Sequence, residues 1–229
     1  FLVPSTEVKI KPYFPKTAYK IIKPKQLSFI SYPYEWSYSQ LRDAALLTLN
    51  IQEKALEHGM SLKDASAYNI QFEKGAPLFI DTLSFTKYQE GEPWVAYRQF
   101  CKHFFAPLAL MRFKDLSYNR LLATYIDGIP LQLASSNLPK KSWLSFSILS
   151  HIHLHARTEN YYSTKTIQNE KKGKMSRNGL LGIINNLKSA IKSFGDPLEV
   201  REWTKYYQET NYSDKSFAKK KNIVQKHVK

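Results

Sequence analysis

The 229-residue chain has a single cysteine, Cys101. An internal disulfide is therefore impossible, which points to a reducing compartment. The thiol falls in an aromatic helical stretch and reads as core. Long apolar runs are missing too. A membrane-spanning helix needs about 20 apolar residues, whereas the longest candidate, Phe104 to Met111, is short and contains Pro107. No secretory leader is visible. Glycine is scarce and scattered: there are eight, and no two form a Gly-x-Gly pair. The chain begins at Phe1 rather than Met, and Lys219 to Lys229 is a basic run with no terminating structure. On these grounds it reads as a cytoplasmic fragment of a longer protein.

What is present is apolar enough to fold. Hydrophobic residues make up 43% and aromatic residues 14%, mostly Tyr and Phe, which argues against a disordered chain. The net charge of +15 is uneven: residues 1–30 carry +5, residues 31–160 only +1, and residues 161–229 carry +9. A nucleic-acid domain more often places basic residues on its folded face. Here the centre is nearly neutral, so solvated basic flanks are favoured over polyanion binding.

Three regions follow. Residues 1–30 are basic, with Tyr19–Ile22 and Leu27–Ser31 expected as short strands around Lys23-Pro24-Lys25. Residues 31–156 form the main lobe. It opens with the extended segment Tyr32-Pro33-Tyr34-Glu35-Trp36. Ser37 and Gln40 then have the spacing of a capping box, and Leu41, Ala44, Ala45, Thr48, Ile51 and Ala55 follow at helical spacing up to Gly59. Alternation at Tyr68, Ile70 and Phe72, the turn Glu73-Lys74-Gly75 and the run Leu78–Asp81 predict a hairpin. Trp94–Met111, Pro130–Ala134 and Ser142–Ala156 predict helices, the first bent by Pro107. Residues 157–229 are expected as a basic linker and helices. Leu180, Ile183, Ile184, Leu187 and Ile191 form one apolar stripe there, and Trp203, Tyr206 and Tyr207 begin an aromatic segment.

Within the main lobe the order of polar groups carries chemistry. Asp64 is followed five positions later by Asn69, and twelve further on by Asp81 at the end of an apolar strand. Phosphoryl transfer needs one carboxylate to orient the attacking hydroxyl, and an amide oxygen with a second carboxylate to hold Mg²⁺ over the phosphates. Asn69 just inside one strand and Asp81 at the end of its partner would point both oxygens at one spot, with Asp64 as the remaining carboxylate. Other candidates are weaker. Either Asp64 or Asn69 alone could simply cap a loop. Of His151, His153 and His155, the outer two share a helix face at metal-ligand spacing, but with no acid or cysteine nearby a polar helix face is the better reading. Glu35 and Asp127 are acids without an evident partner.

Two resemblances follow from these residues. Asp64-Ala65-Ser66-Ala67-Tyr68-Asn69 and Ile80-Asp81, with the strands, hinge and helix before them, resemble the catalytic loop and metal-binding Asp of protein kinases and of aminoglycoside and choline kinases, over residues 17–115. Leu62 stands where that loop has His, no Gly closely follows Asp81, and the glycine-rich phosphate loop and its lysine are missing. Lys20 and Lys23 lie too close to the hinge to supply that lysine. A second resemblance spans almost the whole chain. Tyr32-Pro33-Tyr34-Glu35-Trp36, Phe79-Ile80-Asp81-Thr82-Leu83-Ser84-Phe85 and Pro93-Trp94-Val95-Ala96-Tyr97-Arg98-Gln99-Phe100 resemble phrases of a bacterial class I S-adenosylmethionine-dependent methyltransferase family related to a nodulation protein. The resemblance implies a methyltransferase domain after Trp203–Lys229, so S-adenosylmethionine would bind only in the full-length protein.

The expected fold is α+β and mainly helical: the C-terminal lobe of a protein-kinase-like fold, then a helical linker. Expected partners are a small-molecule substrate, Mg²⁺ with ATP, and the protein's own methyltransferase domain. No membrane and no nucleic acid are expected. Alternatives are an active phosphotransferase, a non-catalytic pseudokinase-like scaffold and, third, a polyanion-binding module.

Overall fold

A computed structural model describes residues 1–157, 174–195, 197 and 211–228. Contacts divide the chain into Phe1–Pro197 and Leu198–Lys229. The expected linker over 157–176 and the aromatic segment at Trp203, Tyr206 and Tyr207 lie largely or wholly outside the described residues.

The strongest local signal forms as expected. Ser37 Oγ accepts from Gln40 N–H while the Gln40 side chain accepts from Ser37 N–H, and helix α1 runs over Tyr38–Glu57. This reciprocal cap satisfies two amide groups that a helix start otherwise leaves unpaired. Gly59, at φ +68°, turns the chain out of the helix end. Tyr32–Trp36 is not extended as expected. Pro33–Glu35 forms one 3₁₀ turn, and Glu35 is not without a partner: its carboxylate accepts Tyr32 N–H at 2.7 Å.

The strands are short and all antiparallel. Strand β1 (Ser5–Glu7) pairs with β2 (Ile22–Pro24). The strand expected at Tyr19–Ile22 is displaced, since β2 runs through the expected turn residues Lys23 and Pro24, and the one expected at Leu27–Ser31 does not form. Instead the Gln71 amide takes both backbone groups of Ser31, accepting its N–H and donating to its carbonyl. Strand β3 (Met60–Leu62) later pairs with β6 (Phe85–Lys87), and between them β4 (Ile70–Glu73) pairs with β5 (Ala76–Phe79). The hairpin turn has Lys74 at φ 52° and Gly75 at φ 80°, and two consecutive positive φ values match the right-handed twist of the strands. Gln71, polar between Ile70 and Phe72, is nevertheless buried, and its amide is satisfied by Ser31.

The helical run predicted at Trp94–Met111 starts later and is not uniform. Helix α2 (Tyr97–Phe100) passes into a π-helical stretch, Cys101–Phe105, and then into α3 (Ala106–Phe113). Pro107 opens α3 directly after the π-helical stretch and has no N–H for the carbonyl one π-turn back, that of Lys102, which Ile129 N–H satisfies instead. Short helices α4 (Leu121–Thr124), α5 (Leu131–Asn137) and α6 (Phe146–Ile148) follow, the last running into a second π-helical stretch, Leu149–Leu154. Helix α7 (Arg177–Ser193) buries Leu180, Ile184, Leu187 and Ile191 of its predicted stripe, while the fifth, Ile183, is half-buried. Lys188 reaches Glu53 of α1 at 2.7 Å. The core between these helices and the strands contains Trp36, Leu49, Leu62, Phe79, Phe104 and Leu108, with Cys101 fully buried among them. In the second unit, α8 (Asp214–His227) carries Lys219, Lys220 and Lys221 exposed. The structure is thus mixed α and β and mostly helical. Among the described residues no helix is long and apolar enough to cross a membrane.

Candidate functional site

The loop from Leu62 to Phe85 is held at both ends by the β3–β6 ladder, where Leu62 faces Phe85. Buried and half-buried side chains fix it further. Gln52 of α1, fully buried, accepts Leu62 N–H at 2.7 Å and donates to Ser61 Oγ at 3.0 Å. Trp94 Nε1 donates to the Leu62 carbonyl at 2.9 Å, and Gln99 Oε1 accepts Ala65 N–H at 2.7 Å. Each of these backbone groups would otherwise be buried unpaired, at about 1–3 kcal/mol apiece. The anchors were not read from the sequence as site residues, although Gln52 gave a sign: it follows Thr48 at i,i+4 on the apolar face of α1.

Two of the three predicted residues, Asn69 and Asp81, meet at a fourth, Ser84; the Asp64 carboxylate does not join them. Ser84 Oγ donates to Asp81 Oδ2 at 2.6 Å and accepts from Asn69 Nδ2 at 3.1 Å. The Ser84 carbonyl accepts Lys63 N–H, one residue before Asp64, at 2.8 Å. Asn69 and Asp81 are also joined along the backbone, since Ile80 N–H donates to the Asn69 carbonyl at 2.8 Å. Asp81 Oδ1 accepts Leu83 N–H, which closes the turn between β5 and β6. Asp64 Oδ1 accepts Ser66 N–H, and Ser66 Oγ caps the 3₁₀ turn Ala67–Asn69.

Asp64 lines a cleft of about 600 Å³ together with Tyr32, Tyr34, Tyr68, His103 and Asp127. Asn69 and Asp81 are not among its walls. His103 is 2% exposed, and its Nδ1 has no hydrogen-bond partner. Burial pushes its pKa down to about 4; Lys102 adds to this, while Asp64 and Asp127 oppose it. The imidazole is therefore neutral over the ordinary pH range. Tyr68 meets it edge-on at 6.2 Å. Burial, with Tyr34 and Asp127 near, raises the Tyr68 phenol above its ordinary range. Asp127 is placed here by a backbone contact. The Lys102 carbonyl accepts Ile129 N–H at 3.0 Å. Its π-helical donor would be residue 107, a proline with no N–H.

The other histidines are not a polar helix face. His151 is buried, with Tyr97 Oη on Nδ1 at 2.6 Å and Asn186 Oδ1 on Nε2 at 2.9 Å. His153 is buried between Ser135 Oγ and Ser142 Oγ and stacks on Trp143. The π-helical turn packs these rings inward, and hydrogen bonds satisfy them there. Among the described residues no three or more His, Cys, Asp and Glu side chains cluster as a metal site.

Compared with known proteins, the chain is 34% identical over 160 residues to the nodulation protein NoeA of Rhizobium meliloti (strain 1021). The match covers 70% of this chain, which spans only 34% of that relative. No family model matches the chain, and no solved structure does.

Proposed function

We propose that residues 31–156 form a kinase-like Mg²⁺–nucleotide site within a protein of the methyltransferase family described above, related to nodulation proteins. The observation that supports it is the junction at Ser84, which ties Asn69 to Asp81 and whose carbonyl accepts the N–H of Lys63, the residue before Asp64. The donor set fits Mg²⁺. An amide oxygen and one carboxylate are hard ligands, and Mg²⁺ commonly takes one or two carboxylates and completes its shell with phosphates and water. Bound Mg²⁺ would supply charge neutralisation on the phosphates. In this reading Asn69 turns its Nδ2 to Ser84 and leaves Oδ1 for the ion. Asp81 keeps its hydrogen bonds, because each carboxylate oxygen has a second lone pair. Asp64, held by Ser66 N–H, orients an acceptor hydroxyl in the cleft.

The test is thermal stability of the full-length protein with Mg²⁺ and ATP. A ligand that binds only the native state stabilises by about 2.7 kcal/mol at one hundred times its dissociation constant. Asp81→Asn should remove the rise while leaving the far-ultraviolet circular dichroism unchanged. Absence of a rise in the wild type at millimolar nucleotide would favour a second reading, a non-catalytic scaffold. One observation speaks for that reading: both Asp81 oxygens are already engaged in closing a loop. The methyl-transfer site is assigned to another part of the protein, so residues 1–229 alone should bind no S-adenosylmethionine by calorimetry. Micromolar binding would overturn that division.

A further inference from the structure

Solvation accounts for the lysines of the basic N-terminal arm but not for its apolar side chains. Strands β1 and β2 make a two-stranded ribbon with both faces exposed. The ribbon is held at its base. There Val3 is buried, its N–H donates to the Phe79 carbonyl at 2.8 Å, and Lys25 pairs with Glu73. Between the strands, every residue from Lys9 to Lys20 except Pro12 is exposed. Ile10 is 65% exposed, Tyr13 91%, Phe14 69% and Tyr19 92%. The N–H groups of Thr17 and Ala18 both donate to the Phe14 carbonyl, so the apex is a formed turn, with the Tyr13 and Phe14 rings in edge contact at 4.8 Å. Glu7 is the one acid among residues 1–30, and Lys20 takes it at 2.8 Å. Lys9, Lys11 and Lys16 thus flank the apolar side chains with no carboxylate of the arm to neutralise them. Apolar side chains gathered on a surface and rimmed by charge mark a site of association.

We propose that the loop from Lys9 to Lys20 docks on an anionic lipid surface, with Tyr13 and Phe14 entering the headgroup layer and the lysines facing lipid phosphates. Aromatic rings are favoured at the boundary between headgroups and acyl chains, and lysine is drawn to an anionic leaflet. The charge is placed for it: residues 1–30 carry +5 and the main lobe only +1. The contact is peripheral, made by a loop rather than by a spanning segment. Single-stranded nucleic acid also attracts lysine and aromatic rings, but it suits this loop less. Tyr13 and Phe14 lie at 86° to each other, so they cannot offer parallel faces to successive bases. Residues 1–30 contain no arginine, the residue whose fork matches a phosphate. The proposal does not depend on Asp64, Asn69 or Asp81.

Co-sedimentation of the full-length protein with vesicles tests it. The expected result is binding to phosphatidylcholine vesicles containing about one-third phosphatidylglycerol, little binding to phosphatidylcholine alone, and release as salt screens the surface charge. Tyr13→Ser combined with Phe14→Ser keeps the charge and should weaken binding roughly tenfold, because less apolar area leaves water. Lys9→Gln, Lys11→Gln and Lys16→Gln should each weaken it about fivefold. None of these side chains is buried, so the variants should melt with the wild type. No binding to the anionic vesicles at low salt would overturn the proposal. Undiminished binding by the Tyr13→Ser, Phe14→Ser variant would also overturn it, leaving bare charge attraction. So would tighter binding of a mixed-sequence single-stranded oligonucleotide that the same variant loses.

Discussion

Gly128→Ala tests how the cleft is built. Gly128 has φ +85°, and a Cβ there would lie 2.7 Å from Lys102 Cβ, 2.8 Å from its carbonyl carbon and 3.0 Å from its carbonyl oxygen. Two costs add. An L residue in the left-handed region costs about 1–2 kcal/mol. The overlap is with backbone that cannot swing away, and overpacking of that kind costs about 1–3 kcal/mol. Relief would require lifting the Tyr125–Ile129 turn off the π-helical stretch. That would break the Ile129 N–H to Lys102 hydrogen bond and carry Asp127 away from His103. The expected loss is about 3 kcal/mol, or about 6–12 °C in Tm for a domain of this size. Urea unfolding monitored by tryptophan fluorescence would measure it, with Gly91→Ala as the control. Gly91 also has positive φ, at 89°, but open space around it, so it should lose only the backbone share. Equal losses at the two positions, or a loss under about 0.5 kcal/mol at Gly128, would refute the close-contact argument.

Other outcomes follow from the same geometry. Gln52→Leu should destabilise by about 1–3 kcal/mol, because Leu62 N–H is then buried without an acceptor; hydrogen exchange at that amide should rise faster than the global rate. Ser84→Ala unties Asn69 from Asp81, so it should reduce any Mg²⁺–ATP stability rise while costing little in the ligand-free protein, as paired melting curves would show. Acid should destabilise the fold through its buried histidines. His103 titrates at about 4 in the folded state against an ordinary 6.5, so the unfolded chain takes up the proton first. Its stabilisation is complete above about pH 6.5 and is lost as the pH falls towards 4, by about 3 kcal/mol at most. Burial lowers His151 and His153 in the same direction. A urea midpoint that rises between pH 6 and pH 4 would contradict this.

The sequence by itself determined the elements whose signals are local. Ser37 and Gln40 cap α1 because the two side chains reach each other's backbone within one turn. Lys74 and Gly75 make the hairpin turn through their own φ angles. The stripe of α7 is a matter of helical period alone. It also placed Asp64, Asn69 and Asp81 in order along a loop and a hairpin, since a hairpin brings its own ends together. Tertiary structure decided what needs a partner far along the chain. Ser84 joins Asn69 and Asp81 only once β6 has returned to pair with β3. Gln71 turns inward because Ser31, forty residues away, meets its amide. The three histidines read from sequence as a helix face, and two are buried because Tyr97, Asn186, Ser135 and Ser142 converge on them. His103 and Asp127 could not be paired from sequence at all. They line one cleft because Pro107 has no N–H for Lys102, which leaves that carbonyl to Ile129, and because Gly128 has no Cβ to hold the two backbones apart.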